Sequence, residues 1–157
     1  MNEAPLYSQN NILQRHDALH VLKHYAKLVK WKYDVEERVL DVGCGDGNVT
    51  ADILLPFLPE NVEKIVGIDI SNEMVEFANK YHSNEKVKFI QGDISAKELI
   101  DEVDEEFDHI FSFFCLHWIQ NQRMDSDQSA NAQDRKSNGK KREIPIQVIA
   151  DKYYSIQ

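Results

Sequence analysis

Val39-Leu40-Asp41-Val42-Gly43-Cys44-Gly45-Asp46-Gly47-Asn48 decides the fold. An apolar strand ends at an acid, and three glycines follow at every second position. Glycine lacks a Cβ and takes positive φ without steric cost, so the backbone can turn sharply and approach a ligand closely. A helical segment starts directly afterwards, and the free N–H groups of a helix N-terminus would face the same ligand. The stretch reads as a ligand-binding loop at the carboxyl end of a first parallel strand.

Strands and helices alternate outward from this point. Upstream, residues 10–30 form an amphipathic helix, with Ala18, Leu22, Tyr25 and Val29 at helical spacing and Leu19 and Ala26 widening the stripe. His16, His20 and His24 recur on one flank of that helix. With no carboxylate or cysteine completing a tetrahedral set, they read as a solvated edge, not a metal site. Arg38–Val42 is the first strand, and Asn48–Phe57 is its helix, stopped by Pro56 and Pro59. Lys64–Ile70 is the second strand. Ser71 caps a helix presenting Met74, Phe77, Ala78 and Tyr81, with Glu73 in its first turn. Lys86–Gln91 is the third strand, and Ser95-Ala96-Lys97-Glu98 opens a short helix to Val103 with a capping box. Phe107–Phe114 is a fourth strand, apolar nearly throughout, as expected of a strand covered on both faces. The alternation predicts an α/β fold with a doubly wound parallel sheet and right-handed crossovers.

The 157 residues suit one domain, and 42% apolar with 29% charged is ordinary for a globular chain. No apolar run approaches the roughly 20 residues that span a bilayer, and Met1-Asn2-Glu3-Ala4-Pro5 lacks the features of a signal peptide. Cys44 and Cys115 read as reduced core thiols, so a cytoplasmic location is expected. The net charge of −9 argues against nucleic acid as a partner. Residues 1–123 hold 12 basic and 22 acidic side chains, a net of −10. After Arg123 the composition turns polar. Residues 124–157 read as a divergent disordered tail with a solvated basic patch at 136–142, in which Ile144–Ile149 could make one strand or bind a partner.

In an open α/β sheet, ligands bind outside the carboxyl ends of the strands. The first strand brings Asp41 and the turn of Gly43, Gly45 and Gly47. The second brings Asp69, 22 residues beyond Gly47, where a carboxylate can accept from both hydroxyls of a ribose. The third brings Gly92-Asp93-Ile94, with Asp93 placed to accept from an adenine amine. The fourth brings Cys115, Leu116, His117 and Trp118. A dinucleotide fingerprint needs a sixth-position glycine where this chain has Asn48, and the Gly-Lys-Ser/Thr of a P-loop is absent. The acid before the glycines would repel a pyrophosphate and favour an amino group or a sulfonium.

This set of strand ends resembles the class I S-adenosylmethionine-dependent methyltransferases. Asp41–Gly47 is similar to their first motif, Asp69 with Ile70 to the ribose-side acid and its neighbour, and Asp93 with Ile94 to the adenine-side motif. Ser8-Gln9-Asn10-Asn11-Ile12-Leu13-Gln14-Arg15-His16-Asp17-Ala18 and Phe113-Phe114-Cys115-Leu116-His117-Trp118-Ile119-Gln120-Asn121-Gln122 resemble the insect juvenile hormone acid methyltransferases. The resemblance covers residues 6–123 and implies a Rossmann-like sheet with S-adenosyl-L-methionine as cofactor. It further implies a terpenoid carboxylic acid as substrate, farnesoic acid or juvenile hormone acid, converted to its methyl ester. Gln14 and Trp118 are expected to grip the substrate carboxyl through uncharged N–H groups, with His117 as a third contributor. Leu6, Tyr7 and Phe113 could line a terpenoid pocket, and Trp31 packs at the end of the first helix.

The family pattern stops after Gln122 or Arg123, so the expected sheet is truncated after the fourth strand, whose outer edge would be bare. The methyltransferase domain then covers 1–123 and the tail 124–157. Two alternatives to the esterifying enzyme follow: a non-catalytic cofactor-binding or regulatory protein with the same fold, and a methyltransferase of another small carboxylic acid.

Overall fold

The computed structural model describes residues 11–94, 107–115 and 146–148. Five strands form one sheet: β1 (Glu37–Val42), β2 (Val62–Asp69), β3 (Val87–Gln91), β4 (His109–Ser112) and β5 (Ile146–Val148). Their spatial order is β3-β2-β1-β4-β5, and every pairing is parallel. The chain therefore walks outward from β1 to one side, then returns to place β4 on the other. The strand order reverses at β1, and this is where such sheets hold ligands. The α/β class read from the alternating pattern is the observed one.

β1 is central. Val39, Leu40 and Val42 are all buried, because both faces of the strand are covered. Val39 shares one face with Ile65, Val87, Phe89 and Phe111. Leu40 and Val42 share the other with Val66, Ile68, Phe107 and Ile110. Helices α1 (Ile12–Tyr25) and α2 (Asn72–Tyr81) both contribute to the first face, α1 through Ala18, Val21 and Leu22 and α2 through Val75 and Ala78. At the amino end of α1, Ile12 and Leu13 lie outside this stripe and are exposed. His16, His20 and His24 stack along its solvent side, with ring centroids 6.5 and 4.3 Å apart. Among the described residues no group of three or more His, Cys, Asp or Glu could hold a metal ion. None of the described helices is long and apolar enough to cross a membrane.

The expected helix over Asn48–Phe57 takes a different form. The backbone winds as a π-helix over Val49–Leu54 and tightens into a 3-10 turn over Leu55–Phe57. The Leu55 N–H donates five residues back, to the Thr50 carbonyl. Two causes meet here, one local and one from the sheet. Pro56 has no N–H with which to continue a regular ladder. Thr50 is tethered to the sheet, its hydroxyl donating to Asp41 Oδ2 at 2.6 Å.

At α2, Ser71 is the N-cap, with extended φ and ψ and its Oγ accepting from the Met74 N–H at 3.4 Å. Ser71→Ala is expected to destabilise the chain by about 1 kcal/mol, the usual value of such a cap. An unchanged midpoint in a urea melt would show that the cap contributes nothing.

The amino ends of β1 and β4, opposite the glycine loop, are closed by a buried polar network. Glu37 is fully buried, with its Oε1 lying 3.1 Å from His109 Nε2 and its Oε2 accepting from the Lys32 N–H at 3.1 Å. Lys32 Nζ reaches Asp108 Oδ1 at 3.0 Å, and Asp108 Oδ2 accepts from the Arg38 N–H at 3.0 Å. Trp31 covers this cluster, 4.1 Å from the His109 ring. The network joins the end of the first helix to β1 and β4, and explains how a charged residue opens a buried strand.

The outer edge of β4 is not bare over its length. Ile110, Phe111 and Ser112 pair with Ile146, Gln147 and Val148 of β5. The strand anticipated within Ile144–Ile149 thus extends the sheet by one position past β4. The expected helix Ser95–Val103, Leu6, Tyr7, His117, Trp118 and the basic run at 136–142 lie outside the described residues.

Candidate functional site

The three glycines of the loop after β1 all take positive φ: 75° at Gly43, 55° at Gly45 and 79° at Gly47. Two of them also have no room for a side chain. A Cβ on Gly43 would fall onto the Cβ and Sγ of Cys115. On Gly47 it would lie 2.7 Å from Phe89 Cζ and 2.8 Å from Ala78 Cβ. The loop is laid against β2, since the N–H groups of Gly43 and Cys44 both donate to the Ile68 carbonyl, at 2.8 and 3.0 Å.

Asp69, at the end of β2, is used structurally on both oxygens. Its Oδ2 accepts from the Gly45 N–H and its Oδ1 from the Ser71 N–H, each at 2.9 Å. It thereby fixes the glycine loop relative to the start of α2. A carboxylate has about four acceptor positions, so capacity for a ligand hydroxyl remains. Asp46 acts similarly within the loop. Its Oδ1 accepts from the Asn48 N–H at 3.2 Å, and its Oδ2 accepts from Asn11 Nδ2 at 3.1 Å.

A cavity of about 340 Å³ opens above β1 and β4. It brings together eight of the residues singled out from sequence: Gln14, Asp41, Gly43, Gly45, Asp69, Ile70, Phe113 and Cys115. Gly47 lies beneath it, packed under Phe89 and Ala78. Asp93 and Ile94 sit past the end of β3 and do not line it; Ile94 packs against the second face of the sheet. Trp118 and His117 fall outside the described residues. Sequence reasoning missed Asn11, which lies three residues before Gln14 and lines the cavity with it. It also missed the part played by Phe114. That residue takes φ 59°, rare for a side chain without glycine's freedom, and so turns the chain after β4 to lay Cys115 over Gly43.

The electrostatics of the cavity are one-sided. Asp41, Asp46 and Asp69 line it, and no Lys, Arg or His does among the described residues. Asp41 is almost wholly buried. Burial pushes its carboxyl up from 3.8 to about 7, the Thr50 hydrogen bond pulls it part of the way back, and the negative Asp69 adds to the rise. Burial likewise holds the Cys44 thiol well above its ordinary range, reinforced by Asp41 and Asp69. Cys44 is therefore a neutral thiol and no nucleophile. No disulfide joins Cys44 and Cys115. Three buried acceptor atoms on the cavity lining, Asn11 Oδ1, Gln14 Oε1 and Asp41 Oδ1, have no hydrogen-bond partner among the described residues. Orphaned acceptors are costly, and a ligand rich in donors and positively charged would satisfy them. The walls beside them, Val49, Met74, Phe113 and Phe114, are apolar.

Comparison with known proteins agrees with this geometry. Residues 39–131 match the family model described as a methyltransferase domain. The chain is 46% identical over 126 residues to the juvenile hormone acid O-methyltransferase of Bombyx mori, covering 78% of this chain and 43% of that protein. It is 45% identical over 122 residues to the juvenile hormone acid O-methyltransferase of Drosophila melanogaster, covering 77% of this chain and 41% of that protein. The chain thus spans less than half the length of these relatives. Among solved structures, the fold is similar to that of SAM-bound CalS10, an amino pentose methyltransferase from Micromonospora echinaspora. The TM-score is 0.54 at 16% identity, covering 76% of this chain and 46% of that one. A glycine loop with three left-handed residues, an acid at or near the end of each of its two central strands, and a family match across the strands that carry them lead to one assignment: the chain belongs to the methyltransferase domain family.

Proposed function

We propose that this chain binds S-adenosylmethionine in the cavity above β1 and β4 and carries the cofactor half of a carboxyl O-methyltransferase acting on a terpenoid acid, farnesoic acid or juvenile hormone acid. The observation that carries the cofactor reading is the cavity's lining: three acidic side chains, with Asp41 titrating at about 7, and no basic group among the described residues. That lining suits a ligand bearing both an ammonium and a sulfonium. The fit continues in detail. Gly43 and Gly45 leave the loop without side chains where a ligand would lie close, Asp69 keeps acceptor capacity for a ribose, and exposed Ile70 offers an apolar surface for a base. Asp93 and Ile94 would serve the adenine from outside the cavity. The substrate reading rests on the two insect relatives and on Gln14, which lines the same cavity.

When bound, S-adenosylmethionine supplies a methyl carbon activated by a positively charged sulfur. The chain's own contribution is positional. A substrate carboxylate has a pKa near 4 and is ionised at neutral pH, so no general base is needed. Gln14 would hold it by a neutral N–H, which orients the anion without pinning it in an ion pair, and Trp118 and His117 would close the same grip. Correct alignment of reacting groups is worth up to about 7–11 kcal/mol. The apolar walls Met74, Phe113 and Phe114 would limit water beside the bound ligand.

A second reading is a cofactor-binding protein of the same fold without transfer activity. Titration calorimetry with S-adenosylmethionine, followed by transfer of a labelled methyl group to farnesoic acid, separates the two. Binding and transfer are expected. Binding without transfer to farnesoic acid or to a panel of other carboxylic acids establishes the second reading, and no binding at millimolar ligand removes both.

A further inference from the structure

Asn11 occupies the N-cap position of α1, where asparagine is among the favoured residues because its side chain can accept from the helix's own N–H groups. Here it does not, for no side-chain capping bond is made. The side chain is instead buried, 3% exposed, and lines the cavity. Its Nδ2 donates to Asp46 Oδ2 at 3.1 Å. A carboxylate can only accept, so this contact settles which end of the amide faces Asp46. Asn11 Oδ1 is then left as the free end, buried and without a partner among the described residues, and Asp41 Oδ1 is in the same condition on the same cavity lining. A primary ammonium carries three N–H donors and a positive charge, and so suits two orphaned acceptors in a cavity free of basic groups among the described residues.

We propose that Asn11 is a cofactor-binding residue whose Oδ1, held in place by Asp46, accepts a hydrogen bond from the α-ammonium of the ligand's amino-acid part, beside Asp41. The assignment rests on the S-adenosylmethionine reading above. The Asn11–Asp46 bond then has a second consequence, since it ties the start of α1, and with it Gln14, to the glycine loop that carries the ligand.

The test compares two ligands by titration calorimetry, S-adenosylhomocysteine and its analogue lacking the α-amino group, on the native chain and on Asn11→Leu. The native chain is expected to prefer the amino-bearing ligand by at least about tenfold, the usual scale of a hydrogen bond to a charged group. Asn11→Leu is expected to lose about tenfold in affinity for S-adenosylhomocysteine and little for the analogue, so that the ratio of the two affinities falls. A merely structural asparagine would weaken both ligands equally and leave the ratio unchanged, and that result overturns the proposal while the cofactor reading stands. If the native chain binds neither ligand, the cofactor reading itself falls and takes the proposal with it. Asn11→Ser gives the same comparison should the leucine variant fail to fold.

Discussion

Gly47→Ala is expected to destabilise the chain by about 2–5 kcal/mol and to abolish detectable binding of S-adenosylmethionine. Two independent terms add. Holding a non-glycine residue at φ 79° costs roughly 1–2 kcal/mol. The new methyl would also lie 2.7 Å from Phe89 Cζ and 2.8 Å from Ala78 Cβ, neighbours fixed on β3 and α2, and overpacking of that kind costs about 1–3 kcal/mol. Relief would come only by lifting the loop off the sheet, which displaces Gly45 and Asp46 together. Guanidinium melts of the two proteins read the stability, and calorimetry reads the ligand. A variant as stable as the native chain would show that the loop has slack the geometry denies.

Asp41→Asn has the opposite sign on stability and the same sign on binding. In the folded chain Asp41 holds its proton up to about pH 7, whereas the unfolded chain releases it near 3.8. Between those values unfolding releases a proton, so native stability falls as the pH rises and levels off above about 7. The full penalty is about 4 kcal/mol, at 1.36 kcal/mol per unit. Asparagine can still accept from Thr50 and does not titrate. The variant is therefore expected to match the native chain near pH 4, to exceed it by up to about 4 kcal/mol at pH 8, and to lose the pH slope between. Its affinity for the cationic cofactor is expected to drop by about tenfold or more, because a neutral amide replaces a charge-assisted acceptor. Native affinity should accordingly strengthen as the pH rises through 7. Identical pH–stability curves for the two proteins would rule out Asp41 as the titrating group. A buried acid retained although it lowers stability is a common sign of a binding site.

The loop was legible because glycine at alternate positions after an apolar strand has few structural uses. The positive φ at Gly43, Gly45 and Gly47 and the crowding of Cys115, Phe89 and Ala78 are the reasons those positions carry no side chain. The strands were legible for a similar reason, since a chain buried on both faces needs a near-continuous apolar run. Other features depended on tertiary partners. The π-helical winding after the loop needs the Thr50–Asp41 tether, which links residues from a helix and a strand. Asn11 reads locally as a helix cap, and only the approach of Asp46, 35 residues away, turns its amide to the cavity. The strand-end position of Asp69 points to a ribose, yet its two oxygens first serve the chain's own Gly45 and Ser71. The burial of Glu37 is not legible in sequence, because a charged residue before an apolar strand ordinarily marks its solvent end, and its partner His109 lies on another strand.

The pairing of β5 with β4 sets an order of assembly. β1, β2, β3 and β4 are all in hand by residue 115, whereas Ile146 joins Ile110 only after a 33-residue excursion from Ser112. β5 pairs with β4 at three positions, so it needs β4 already laid against β1 as its template and joins after the central strands. Until β5 docks, the outer flank of β4 carries unpaired N–H and C=O groups, an open edge at which another chain can pair.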